Sequence, residues 1–186
     1  LILGYTHPDS FPLLWKYRLT QTVVDYPYAQ SLNACRKKVQ VHLKIDTGMH
    51  RLGIRSDHIE EISRMFQMDN LLVDGIYTHL CVSDSMTAAD REFTYQQANA
   101  FYTLLEKLSE RGISCPNIHL SASYGLIHYP EFPSNYARIG IALYGMLSSR
   151  QDEENCSIPL FPVLSVKARV SSVRDLYKGE GAGYGL

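Results

Sequence analysis

His42, Lys44 and Asp46 alternate with Val41, Leu43 and Ile45, and the loop that follows carries Arg51 between Gly48 and Gly53. A strand has a side-chain period of two, so the apolar and ionisable sets face opposite sides along about 7 Å. Burying an unpaired lysine or aspartate costs several kcal/mol, so the polar side must meet other charges, water or a ligand. Glycine on both sides lets the chain leave the strand sharply and frees Arg51 to curl back over its end. Comparable groups close later apolar runs: Tyr77-Thr78-His79, then Ser121 and Ser123, then Arg138 followed by Gly140. Cations, a histidine and hydroxyls at one rim are donors for an anion, and phosphate is the natural candidate.

The elements that must position these groups follow from the pattern of apolar residues. Six short apolar runs, at 1–4, 20–25, 39–47, 71–80, 117–122 and 136–145, read as strands. Helical segments lie between them at 9–16, 27–38, 57–67 and 88–111, the last with an apolar stripe of Phe93, Ala100, Tyr102, Leu104 and Leu108. Strands alternating with helices imply an α/β fold with a parallel sheet covered on both faces. Eight such units close a TIM-type (β/α)8 barrel, and six are present, which predicts a partial barrel of about strands 3–8 over residues 1–150 with two units missing upstream. Barrel phosphate sites follow strands 7 and 8, where Ser123, Gly140 and Ile141 would fall. Residues 151–186 read as a polar linker and then the first strands of an all-β domain, from the alternation over Val163–Val173. Both ends read as cut.

Composition narrows the partners. A net charge of −1 with scattered basic residues gives no footprint for nucleic acid. Cys35, Cys81, Cys115 and Cys156 form no CxxC pair, so reduced thiols in the cytoplasm are expected. No run approaches the roughly 18 apolar residues of a membrane span, so this segment is expected to make no membrane contact. His42, His58, His119 and His128 match no metal spacing and read as structural, hydrogen-bonded histidines, and no metal is expected. Ser123 lacks the histidine and carboxylate partners of a hydrolase nucleophile.

The run from Val41 to Gly53 resembles the strand-5 signature of the alanine racemase family, with His50 where glycine is usual. Tyr77-Thr78-His79, Ser121-Ala122-Ser123, Ala137–Gly145 and Gly183-Tyr184-Gly185 are similar to later blocks of that family, in the correct order. The resemblance implies a pyridoxal 5'-phosphate-dependent amino-acid racemase that couples a barrel to a β domain and works as a homodimer. Two-base proton exchange on a small amino acid, alanine or serine, is the reaction implied. Tyr5-Thr6-His7-Pro8 is similar to the serine/alanine racemases linked to vancomycin resistance, which tether a cytosolic racemase part to a membrane domain.

Residue by residue, the resemblance makes Tyr184 the general base on the L side of the substrate, acting across the dimer interface. Arg138 would donate to the pyridine nitrogen, and His79 would bridge Arg138 and Tyr184. Ser123, Gly140 and Ile141 would hold the cofactor phosphate, and Arg51 would pair with the substrate carboxylate and a cofactor oxygen. Met49 would line the substrate, and Lys44 matches a position often carbamylated. The lysine that holds the cofactor covalently belongs to the family's first barrel strand, and none of the chain's lysines has its sequence context. Two rivals remain. A decarboxylase of the same barrel class is disfavoured by the tyrosine after Gly183, and a non-catalytic pyridoxal-phosphate-binding barrel is disfavoured by the β-like tail.

Overall fold

A computed structural model describes residues 1–184. Five strands, β1 (Gln21–Val23), β2 (Val39–Asp46), β3 (Ile54–Arg55), β4 (Leu71–Tyr77) and β5 (Asn117–His119), alternate with helices except that β3 follows β2 directly. These are α1 (Phe11–Lys16), α2 (Tyr26–Ala34), α3 (Ile59–Phe66), α4 (Ala88–Glu110), α5 (Ser123–His128) and α6 (Arg150–Asn155). The main sheet runs β1-β2-β4-β5 with every pairing parallel, and β3 adds to the end of β2.

Local chemistry explains the helix starts. The Asp25 carboxylate accepts from the Tyr28 N–H at 2.7 Å, and Thr87 Oγ1 accepts from the Asp90 N–H at 3.2 Å, so each opens a helix as an N-cap. The strands then bury one side against those helices: Val41, Leu43 and Ile45 share a core with Leu32, Ile62, Met65, Phe101, Leu104 and Leu108. The opposite side of β2 turns His42 and Lys44 inward, both buried.

One irregularity matters for the site. Val41 pairs with Val73, but His42 pairs with Gly75, so Asp74 is the extra residue of a β-bulge on β4.

Several elements differ from the sequence-based expectation. The run at 1–4 makes only a bridge between Ile2 and Gln21, since it lies at the edge of the sheet. The run at 136–145 pairs only where Arg138 meets Ala122, and residues 141–144 then tighten into a 3-10 turn. Residues 151–155, expected as linker, form α6, because Ser149 Oγ caps the Asp152 N–H at 3.1 Å and Arg150 pairs with Glu154. The alternating stretch at 163–173 forms no strand here. Val166 is 90% and Val173 85% exposed, because a strand without a neighbour has no ladder to join. Among the described residues no helix is long and apolar enough to cross a membrane.

Candidate active site

Tyr77, the last residue of β4, is the plate on which the site is assembled. It is in register with Lys44, and its hydroxyl is 3.0 Å from Thr22 Oγ1 on β1. His119 stacks on the ring at 4.6 Å and 9°, the Arg138 guanidinium lies 4.9 Å from its centroid, and the Lys44 ammonium lies 5.1 Å away. Lys44 is buried with no carboxylate at ion-pair distance among the described residues. Burial first, then the nearby Arg138 and Arg51, lowers its pKa to about 8 against the pull of Asp46.

Arg138 is held from several directions. Its Nη1 is 2.6 Å from His119 Nδ1, and its Nη2 reaches the carbonyls of Thr78 at 2.8 Å and Leu120 at 2.9 Å and His79 Nδ1 at 3.1 Å. A guanidinium only donates, so both Nδ1 atoms are acceptors. Burial brings the Arg138 pKa down to about 10, which leaves it charged at neutral pH. His79 falls to about 4 and His119 to about 3, from burial first and then Arg138, so both imidazoles are neutral. The contacts continue: His119 Nε2 is 2.8 Å from His42 Nδ1, and His42 Nε2 is 3.6 Å from Asp74 Oδ2.

The loop after β2 is tied down by Asp46. Its carboxylate accepts from the backbone N–H groups of Gly48 and His50, each at 3.0 Å, and lies 2.9 Å from His50 Nδ1. Burial pushes that carboxyl up, but these donors outweigh it and hold it below the usual range. His50 has φ +52°, the left-handed region that favours glycine, and its two bonds to Asp46 compensate for the strain. Gly53 is required outright: φ is +115°, and a Cβ there would lie 2.9 Å from the Lys44 carbonyl oxygen and the Asp46 nitrogen. Arg51 is exposed on this loop, near enough to depress both Lys44 and His79, and Met49 is half-buried beside it.

A second cup forms where α5 begins. Ser123 is buried, and its Oγ accepts from the N–H groups of Gly140 at 3.0 Å and Ala142 at 3.3 Å. No acceptor for the Ser123 hydroxyl proton and no partner for the Ile141 N–H is found among the described residues. Both line a groove of about 330 Å³ with His79 and Gly140. Among the described residues no cluster of His, Cys, Asp or Glu could hold a metal.

Lys44, His79, Ser123, Arg138, Gly140 and Ile141 therefore converge at the strand tips, with Arg51 and Met49 on the adjoining loop. Tyr184 does not join them: it is fully exposed at the end of the described chain, and His79 has Arg138 alone of its two expected neighbours. His119, His42 and Asp74 extend the contacts behind Arg138: both histidines are buried and hydrogen-bonded, as expected from the sequence, and their link to Arg138 is what residue spacing does not mark. The signal was present for His42, which lies two residues before Lys44 on the same strand face.

Residues 1–148 match the model of the alanine racemase N-terminal domain. The chain belongs to this family. An amino-acid racemase of Enterococcus faecalis is 39% identical over 186 residues, covering all of this chain and 26% of that protein. A serine/alanine racemase of Enterococcus gallinarum is 37% identical over 185 residues, again with 26% of its length covered. Among solved structures, alanine racemase from E. faecalis superposes with a TM-score of 0.79 at 30% identity, covering 99% of this chain and 50% of that one. This member of the alanine racemase family thus spans a quarter to a half of these relatives' lengths, and the matched fold is the TIM barrel that six alternating units imply.

Proposed function

We propose that the protein carrying this chain is a pyridoxal 5'-phosphate-dependent amino-acid racemase that interconverts the L and D forms of alanine, serine or both. The observation that carries the reading is Arg138, a cation clamped by two neutral histidines and two carbonyls beside the donor-rich cup at Ser123. The residues fit the group. A free hydroxyl proton on Ser123 and a free N–H at Ile141, with the Gly140 backbone, are suited to phosphate oxygens. Arg51 and Arg138 supply positive charge for the anionic cofactor and a substrate carboxylate.

Pyridoxal phosphate, when bound, supplies an electron-withdrawing ring that acidifies the substrate's α-carbon. Arg138 would donate to the ring nitrogen without surrendering its proton, which would restrain side reactions. Tyr184, presented across a homodimer interface, would take the α-proton on the L side. A lysine outside this chain serves the opposite face. Arg51 orients the substrate carboxylate, and Met49 limits the space around it. With a pKa of about 8, Lys44 is partly unprotonated at neutral pH. Its free amine can add to carbon dioxide and lose a proton, which yields an anionic carbamate able to pair with Arg51.

The domain division at residue 150 belongs to the same reading, with 151–186 leading into a β domain that offers Tyr184 to the partner subunit. The name of the enterococcal serine/alanine racemase fits the subgroup linked to vancomycin resistance that Tyr5-Thr6-His7-Pro8 resembles, and a cytoplasmic location belongs to the same reading. The test is incubation of the full-length protein with L- and D-alanine and L- and D-serine, followed by optical rotation. Racemisation is expected. Carbon dioxide release would establish the decarboxylase instead, and bound cofactor without turnover would establish the cofactor-binding barrel.

A further inference from the structure

The line Asp74, His42, His119 and Arg138 has an end that can only donate and an end that can only accept. Arg138 has no lone pair to offer, and an ionised carboxylate has no proton. Each neutral imidazole between them has one donor and one acceptor, so a single arrangement satisfies every contact. His119 Nδ1 accepts from Arg138 at 2.6 Å, and its Nε2–H donates to His42 Nδ1 at 2.8 Å. The Nε2–H of His42 then points to Asp74 Oδ2 at 3.6 Å, the slackest link. Reversing either ring would set two N–H groups, or two lone pairs, against each other.

We propose that Asp74, His42 and His119 are positioning residues: two hydrogen bonds of one direction run from Arg138 through His119 to His42, the Asp74 carboxylate faces the His42 N–H at the outer end, and together they fix the Arg138 guanidinium so that its remaining N–H groups stay free for the cofactor ring.

Strand β4 is shaped around this line. The bulge at Asp74 interrupts regular pairing beside His42, and Gly75 follows because a Cβ there would come within 2.6 Å of the His42 ring. A strand interior loses packing and gains backbone entropy cost by carrying glycine, and here it gains only room for a polar ring. Burial of both histidines keeps them uncharged, as the line requires. Of the Arg138 donors, Nη2 is occupied by the Thr78 and Leu120 carbonyls and His79, and one Nη1 hydrogen by His119. The second Nη1 hydrogen and Nε–H remain for a ligand.

The proposal rests on the cofactor assignment for its purpose and on geometry alone for its polarity, so the two are tested apart. In the full-length protein labelled with ¹⁵N-histidine, long-range ¹H–¹⁵N spectra are expected to show His42 and His119 neutral, each protonated on Nε2. A proton on His119 Nδ1 would overturn the line whatever the protein binds. The second measurement is the dissociation constant for added pyridoxal phosphate, read by absorbance. Asp74→Asn alters a half-exposed bulge residue, and its amide can donate as well as accept. Arg138 and His119 still set the direction, so His42 is expected to keep its Nε2 proton while binding weakens by roughly tenfold, equivalent to about 1.4 kcal/mol. His119→Asn, which keeps an acceptor for Arg138, should bind more tightly than His119→Leu. Wild-type binding by both Asp74→Asn and His119→Leu would overturn the positioning role. A wild-type protein that bound no pyridoxal phosphate would overturn the cofactor assignment and with it the role, while the Nε2 tautomers would still report the line itself.

Discussion

The rim of strand tips and the tail after residue 156 carry the two halves of the proposed chemistry in opposite physical states. At the rim, Lys44, His79, Ser123 and Arg138 are fixed by neighbours from β2, β4, β5 and the segment around residue 138, all within one chain. In the tail, Phe161, Val166, Val170, Val173 and Tyr184 lie open to solvent. Groups whose partners are local in the sheet are assembled by folding. A tyrosine that acts across a subunit interface, as proposed for Tyr184, would be assembled only by association, so loss of function should separate from loss of stability.

Tyr184→Phe in the full-length protein should break that comparison most sharply if it is wrong. Turnover is expected to fall by about 10²- to 10⁴-fold with an unchanged unfolding midpoint, measured by optical rotation and thermal denaturation. At the rim, Arg138→Met leaves His119 and the Thr78 and Leu120 carbonyls without their donor. A stability loss of about 3 kcal/mol is expected in denaturant unfolding.

Lys44 sharpens the comparison through pH. Its folded pKa of about 8 lies below the ordinary 10.5, so the fold disfavours the protonated amine. The stabilisation is complete above the unfolded value and is lost as pH falls from 10.5 through 8. In buffer free of carbon dioxide, unfolding free energy should therefore rise on the order of 3 kcal/mol across that window, and Lys44→Met should flatten the rise. Gly53→Ala, which forces a Cβ against backbone at 2.9 Å, should cost about 2 kcal/mol. Val166→Ser, at 90% exposure, should change the stability of the isolated 186-residue chain by less than about 0.5 kcal/mol.

Much of the rim could be read from period-two patterning, because Lys44, Thr78 and Ser123 sit at predictable distances from the apolar residues that anchor them. The departure from glycine at position 50 was visible as well. Its meaning was not, since only φ +52° and the Asp46 contacts reveal what the position demands. His119 reads only as a structural histidine in the sequence because its partner Arg138 lies 19 residues away and approaches through a single bridge. The last apolar run misled for a related reason: Gly140 and the turn at 141–144 divert the chain from the sheet, and hydropathy does not register that diversion. The tail alternates as a strand should, yet alternation records a preference that only a neighbouring strand can realise.

The extra residue at Asp74 also sets the reading frame of everything downstream on β4. Because side chains alternate sides, removing one residue there would exchange the inward and outward sets beyond it, presenting Ile76 to the lumen and turning Tyr77 into the apolar layer. A single-codon deletion at Asp74 would thus dismantle the aromatic floor of the site without altering Tyr77 itself.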